Sequence, residues 1–498
     1  MNILLDAYFD RNFGDDLFVD TITKLFDKYK FYAFMENYPP EIQKWAEKIP
    51  NLYLLPECRV MLRKGFFDAY ICVGGDIFPD GGDFSKRQSW VDAVKAVNGK
   101  IFFLGFNLFT DYREQTQQEI TKLMKDADVI APRDEKSVEL LRKWMPEKKI
   151  SVMADVGFLA GWTEKDTQEV QQITRLGIAV RRPGYADEES MVAYDETIAD
   201  VINEFLLEDA GREVILFALS NGSVRDEEVA AAITEKVMES TRVKICVYDG
   251  DLAYIQQELK QCDFVICTRF HALVACIAMG IPYCPVNYEI KMDNLLQELG
   301  YKGEKIRFDE IKVLKEHWNS ITARPAGDGI IDAEKMTGYL EKGKTVIDTV
   351  DELLAAWNTT PFIKKDASGT ECEEKDTIKE CQKIISQYLK TIEDCQKTNA
   401  EYFKLIGEIN ADKVREQELL QKQTAELEKV ISEKTAIQDR LLEMQMDVEE
   451  KQKVLEGMSE FFAEGRRKQL MKKIALFHKS EKKDLEAKWK LLEDYFSK

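Results

Sequence analysis

The segment TRFHALVACIAMGIPYCPVNYEIK, Thr268–Lys291, sets Arg269 two residues before His271 and closes on Lys291, in an otherwise apolar run. Those side-chain types suit an anionic ligand handled by a proton-transfer group. Arginine offers a planar, permanently charged fork to phosphate or carboxylate. Histidine is the side chain whose ordinary pKa lies near neutrality. A lone histidine in an apolar stretch is more often a packed core residue, but here an arginine adjoins it where a strand ends and a helix begins. Free backbone N–H groups and the helix dipole favour an anion at such a point. His271 is accordingly the candidate catalytic residue, with Arg269 and Lys291 as candidate anion ligands.

Two further stretches carry the same kind of signal. In GIAVRRPG, Arg181 and Arg182 close a strand, and strand alternation turns one toward a cleft and the other toward solvent. In DRNFGDD, Asn12, Asp15 and Asp16 follow the first strand and open a helix. Gly14 would permit close ligand approach there, and Asp15 or Asp16 would cap the helix or bind hydroxyls. VGGDIFPDGG supplies Gly74, Gly75 and Asp76 in a turn after a strand, without the G-x-G-x-x-G spacing of a dinucleotide fingerprint.

These residues need a scaffold, and the chain from Met1 to about Pro361 supplies a repeating one. NILLDAYF, AYICVGGD, KIFFLGFNL, DVIAPRD and ISVMADVGF read as strands, separated by helices over Asp16–Tyr29, Glu114–Lys125 and Glu135–Lys143. After the polar AGWTEKDTQEVQQITR, a second series comes: LGIAVRRPG, EVILFALSNG, KICVYDGD, DFVICTRFH and PYCPVNY. Strands that are apolar throughout belong to parallel sheets covered on both faces. The expected fold is α/β: two Rossmann-like doubly wound domains, residues 1–165 and 175–358, with ligand at the carboxyl ends of their strands.

The rest has another texture. Beyond a linker at 359–376, a heptad frame runs from Ile385/Tyr388 to Leu455/Met458, predicting a coiled coil and a homo-oligomer. Asn399 at an a position suits a parallel dimer, and Lys413, Glu416, Lys434 and Lys451 weaken the seam. The tail GRRKQLMKKIALFHKSEKK is basic and amphipathic, suited to a partner helix or an anionic membrane surface.

Composition narrows the partners. The formal net charge is −20, which argues against a general nucleic-acid binder. Ten cysteines without C-x-x-C pairs read as buried thiols in a reducing compartment, so neither disulfides nor a metal site is expected. MNILLDAYFD lacks a basic n-region and a cleavage site, and no apolar run reaches bilayer length. The expected location is cytoplasmic, with peripheral contact at the inner membrane face through the basic tail.

The ordered set NFGDD (Asn12–Asp16), VGGDIFPDGG (Val73–Gly82), APRDEKSVELL (Ala131–Leu141), ADVGFL (Ala154–Leu159), IAVRRPG (Ile178–Gly184) and the Thr268–Lys291 segment resembles the polysaccharide pyruvyl transferase family over residues 1–350. The last segment is similar to that family's R-x-H followed by Y-x-x-K. The resemblance implies a glycosyltransferase-B-like fold, phosphoenolpyruvate as donor, and a pyruvate ketal formed on a glycan or lipid-linked sugar, with no separate cofactor. It implies that Arg269, one of Arg181 and Arg182, and Lys291 bind the donor and that His271 is the general acid. Asn12, Asp15, Asp16, Gly74, Gly75 and Asp76 would then face the acceptor. Phe270, where the family more commonly has a small aliphatic residue, and the short GGD turn depart from its pattern. A nucleotide-sugar glycosyltransferase, or a scaffold organised by the coiled coil, would meet the same cations and heptads.

Overall fold

The computed structural model describes residues 1–359 apart from 36–38, 56, 58, 166–171, 223 and 323–329, and beyond them Lys429, Ser432, Lys434 and Arg440. Contacts divide the chain into units at Met1–Ser386 and Gln387–Lys498. The expected linker beyond Thr359, coiled coil and basic tail lie outside the described residues, those four positions aside.

Two six-stranded parallel sheets organise the first unit. In the first, β1 (Asn2–Asp6), β2 (Lys30–Phe34), β3 (Leu52–Leu55), β4 (Ala69–Val73), β5 (Lys100–Leu104) and β6 (Val129–Ala131) lie in the order β3-β2-β1-β4-β5-β6. In the second, β7 (Arg175–Ala179), β8 (Glu213–Ala218), β9 (Val243–Val247), β10 (Phe264–Cys267), β11 (Tyr283–Asn287) and β12 (Ile306–Arg307) repeat that order as β9-β8-β7-β10-β11-β12. Both sheets therefore reverse direction beside their first strand, between β1 and β4 and between β7 and β10. Ligands of doubly wound sheets bind outside the strand ends at such a switch point. The α/β, two-Rossmann reading holds.

Seven helices position the site or join the halves: α1 (Phe13–Leu25), α2 (Glu135–Trp144), α3 (Glu188–Glu208), α4 (Asp226–Thr234), α5 (Phe270–Met279), α6 (Ile290–Glu298) and α7 (Ala333–Thr359). β4 and β10 are buried at every position, as two-sided cover requires. The short strands β2, β3 and β12 add to those the pattern predicts; β3 and β12 lie at sheet edges, where burial is incomplete and alternation weak.

Two elements differ from expectation. ISVMADVGF forms no strand. Ser151 and Met153 each donate one backbone bond toward β6, and then the Asp155 side chain accepts from Gly157 N at 2.8 Å and starts a 3₁₀ turn over Val156–Leu159. The first helix begins at Phe13 and not at Asp16, because Asn12 is its cap: Asn12 Oδ1 accepts from Gly14 N at 2.9 Å.

The cores of the two halves exchange a few residues. Phe13, Leu17, Ala154 and Phe158 of the first half join the core of the second, whereas Val346, Ile347, Val350 and Leu354 of α7 return to the core of the first. Helix α7 thus straps the halves together. Leu354 is fully buried, so Leu354→Ala should cost about 2–5 kcal/mol, as buried large-to-small changes do. Urea denaturation of the full chain checks this; a loss below about 1 kcal/mol would mean α7 contributes little to the core.

Candidate functional site

The carboxyl ends of β1, β4, β6, β7, β8 and β10 open onto one cleft of about 350 Å³, lined among others by Asp15, Asp76, Arg133, Arg181, His271 and Lys291. Register explains the meeting. Ala179 of β7 pairs with Cys267 of β10, so the chains that continue to Arg181 and Arg269 leave the sheet side by side. From the other sheet, Asp6 of β1 pairs with Cys72 of β4, bringing the Tyr8–Asp15 and Gly74–Asp76 segments together.

Backbone bonds hold the halves face to face. Phe13 N donates to Leu219 O at 2.9 Å and Asn221 N to Arg11 O at 3.1 Å. Arg11 sits there at φ 51°, a left-handed conformation that residues with side chains rarely adopt. Tyr248 Oη donates to Asp16 Oδ2 at 2.6 Å, and Lys136 Nζ to Asn294 Oδ1 at 2.6 Å.

Arg269 occupies the N-cap of α5 and offers no side-chain acceptor to the first turn, so that turn has no side-chain cap. Its guanidinium lines the cleft but is gripped from behind: Nε and Nη2 donate to Asp226 at 2.7 and 2.5 Å, and Asp226 is fully buried at the start of α4. The remaining N–H groups of the fork are left for a ligand.

Arg181 and Arg182 part company. Arg182 turns back to Asp195 on α3, donating from Nε at 3.1 Å, and does not line the cleft. Arg181 lines it, stacked 4.9 Å over the Tyr288 ring, and its buried Nε has no hydrogen-bond partner. Among the described residues no carboxylate forms an ion pair with Arg181, unlike the other cleft cations. Lys291, in the first turn of α6, contacts Asp76 and Glu289, each at 2.6 Å. Burial opposes the Lys291 charge, but Tyr288, Asp76 and Glu289 outweigh it and hold its pKa above the ordinary lysine value. Burial would raise the Asp76 carboxyl, yet Lys291 and Arg133 pull it well below the usual carboxylate range.

His271 is wedged between Phe18 and Phe270, with ring centroids 4.9 and 5.1 Å away. A Cβ on Gly14 would lie 1.8 Å from His271 Nδ1. Gly14 therefore makes room for the histidine, and it also lines the cleft. His271 Nε2 is buried without a hydrogen-bond partner, and Asp155 Oδ1 lies 3.8 Å away. Burial pushes the imidazole down to about 4, assisted by Arg133 and Lys291 and opposed by Asp155. It is neutral at pH 7 in the ligand-free cleft.

The two acidic residues of NFGDD also separate. Asp15 lines the cleft, whereas Asp16 is buried under Tyr248 and does not. Burial pushes the Asp16 carboxyl up to about 8, against the Tyr248 hydrogen bond. Asn12, Gly75 and Asp76 line the cleft and Gly74 does not. Gly74 instead makes the turn, at φ 156° with Ile77 against it.

Sequence reasoning missed Arg133, Asp155 and Asp226. Arg133 lies over the Phe270 ring at 4.4 Å, and its Nη1 donates to Asp155 at 2.8 Å. A signal existed for it, since it follows β6 at a carboxyl end within APRD. Asp226 had none, being one acidic residue among several in RDEE.

The profile of the polysaccharide pyruvyl transferase family matches residues 12–290, which span every cleft residue except Tyr8, Asp10 and Lys291. A curated relative, the amylovoran biosynthesis protein AmsJ of Erwinia amylovora, is 21% identical over 251 residues, which is 47% of this chain and 60% of the relative's own length. Among solved structures, Anabaena Alr3699/HepE in complex with UDP-glucose aligns over 71% of this chain and 99% of its own, at 12% identity and a TM-score of 0.47. A putative UDP-N-acetylglucosamine 2-epimerase from Listeria monocytogenes aligns over 71% and 96%, also at 12% identity and 0.47.

The neutral histidine can be tested directly. Only three histidines occur in the chain, so loss of a signal in His271→Gln identifies the His271 resonance. Its NMR titration midpoint should fall near 4 and rise when inorganic phosphate is added, because a bound anion favours imidazolium. A midpoint near the ordinary value of about 6.5 would mean that water reaches the ring.

Proposed function

We propose that this chain, which belongs to the polysaccharide pyruvyl transferase family, moves a pyruvyl group from phosphoenolpyruvate onto two hydroxyls of a sugar. The product is a pyruvate ketal, and the acceptor is a glycan or lipid-linked sugar of cell-surface polysaccharide synthesis. The observation that carries this reading is Arg181: a guanidinium in the cleft, its buried Nε unpartnered, beside an α5 N-terminus without a side-chain cap. A buried donor left unsatisfied costs about 1–3 kcal/mol, and an anionic ligand removes that cost.

Phosphoenolpyruvate carries a phosphate and a carboxylate, so two anionic groups need cations. Arg181 and the first turn of α5 suit one of them. Lys291, released from Asp76, and the free side of the Arg269 fork suit the other. Asp226 holds Arg269 in place and lowers the net charge, so the cleft binds an anion without carrying a large positive excess when empty.

The arriving anion reverses the electrostatics at His271. Burial and two cations keep it neutral in the empty cleft; a bound phosphate or carboxylate offsets those cations and lets it take a proton. His271 then delivers that proton to the donor's methylene carbon, making C2 electrophilic enough for a sugar hydroxyl to attack. Asp155 behind the ring stabilises the imidazolium. Asn12, Asp15 and Asp76 form the wall on which acceptor hydroxyls hydrogen-bond.

The direct test supplies phosphoenolpyruvate with p-nitrophenyl glycosides of glucose, galactose, mannose and N-acetylmannosamine. Released phosphate and a product with the mass of a pyruvyl ketal are expected. Consumption of UDP-sugars in place of phosphoenolpyruvate would make the chain a glycosyltransferase. The two arginines give a sharper comparison. Arg181→Ala should weaken phosphoenolpyruvate binding roughly 10- to 150-fold by calorimetry, the equivalent of about 1.5–3 kcal/mol for a lost charged hydrogen bond. Arg182→Ala should leave it nearly unchanged, since that side chain is engaged by Asp195; equal losses would contradict the assignment.

A further inference from the structure

Among the described residues, the aspartates in and behind the cleft wall are engaged with one exception. Asp76 is held by Lys291, Asp155 by Arg133, Asp226 by Arg269 and Asp16 by the Tyr248 hydroxyl, and Asp10 has a partner too. Asp15 lines the same cleft from the first turn of α1, and no hydrogen bond or ion pair to its carboxyl forms among the described residues. It comes directly after Gly14, whose backbone lies against the His271 ring. Its carboxylate therefore has unoccupied lone pairs in the cleft that His271 also lines.

We propose that Asp15 is the general base of this reaction, taking the proton from the sugar hydroxyl that attacks the donor. The assignment rests on pyruvyl transfer from phosphoenolpyruvate and extends the role of Asp15 from hydroxyl binding to proton removal.

Each proton and electron pair has a destination. His271 places a proton on C3 of the enol, and the first hydroxyl oxygen forms a bond to C2 while its proton passes to Asp15. The C2–O bond to phosphate then breaks, its electron pair leaving with phosphate, as the second hydroxyl closes the ring; that hydroxyl's proton departs with the phosphate. Asp15 returns its proton to solvent and His271 recovers one.

The surroundings tune Asp15 for this task. Burial, Asp76 and Asp10 raise its carboxyl to about 7, and Lys291 and Arg133 limit the rise. A base of that strength is matched to a proton transfer near neutral pH, where an ordinary exposed aspartate would be too weak. Asp155, Asp226 and Asp16 would each have to abandon a cation or hydroxyl first, and Asp76, once Lys291 turns to the donor, still has Arg133 3.8 Å away to keep it a weaker base.

The test uses the full-length chain with phosphoenolpyruvate and the same p-nitrophenyl glycosides. Asp15→Asn, which keeps size and polarity, should lower kcat roughly 10²–10⁴-fold while phosphoenolpyruvate affinity stays within about threefold or tightens. Asp15→Ala should regain turnover when formate is added at high concentration, which a merely structural aspartate would not allow. A kcat within about fivefold of wild type, a parallel loss of donor affinity, or an alanine variant that formate does not restore would each overturn the base. Wild-type chain that releases no phosphate from phosphoenolpyruvate would instead overturn the reading of function on which it rests.

Discussion

The Asp155 carboxylate is fully buried, and the organisation of the cleft depends on what it must touch. A charge removed from water needs both an opposite charge and hydrogen bonds. Asp155 obtains the first from Arg133 and the second from Gly157 N, each at 2.8 Å. Meeting that demand fixes Arg133 beneath Phe270, starts the turn that packs against α1 and α5, and leaves one oxygen 3.8 Å from His271. Its own backbone N–H donates to the Tyr339 hydroxyl at 2.9 Å, so α7 is tied to the same point. One ion pair therefore aligns parts of both sheets and the strap between them.

The cleft that results gathers cations, each but one matched by a carboxylate, inside an acidic protein. The chain carries a formal charge of −20, yet four cationic side chains line one cavity. Carboxylates behind and beside them neutralise three, and Arg181 is left. In the proposed reading, a small dianion would draw on Arg181, the α5 N-terminus and Lys291 together. Backbone pairs such as Phe13–Leu219 hold the halves together around the cleft, and the largely buried setting of His271 would strengthen the effect of a bound anion on it.

In the proposed reaction, acid and base are set apart by environment and not by type. His271 lies among aromatic rings with two cations nearby, which disfavour its charged form. Asp15 is raised first by burial and then by Asp76 and Asp10, against the pull of Lys291 and Arg133. A bound anion would bring the His271 pKa back toward its ordinary value and would raise that of Asp15 further, and the backbone of Gly14 lies against the His271 ring.

Much of this was legible in the sequence because it is written in local pattern. Apolar runs bounded by glycine and charge mark the strands, and the recurrence of such runs twice over marks two parallel sheets. Chemistry at strand ends is a consequence of topology, so Arg181, Arg269, His271 and Lys291 could be named without coordinates. Pairings between distant segments were not legible. Whether Arg181 or Arg182 faces the ligand depends on Asp195 across a loop; whether Arg269 is a free cation depends on Asp226 at another helix; whether Asp15 or Asp16 is available depends on Tyr248 in the other sheet. Gly14 serves His271, more than two hundred residues away in the chain. Local spacing determines which side chains reach the strand ends. Only packing of one sheet against the other decides which of them find a partner there and which are left free to act, because burial makes every polar group seek a partner and tertiary contact alone sets who is near.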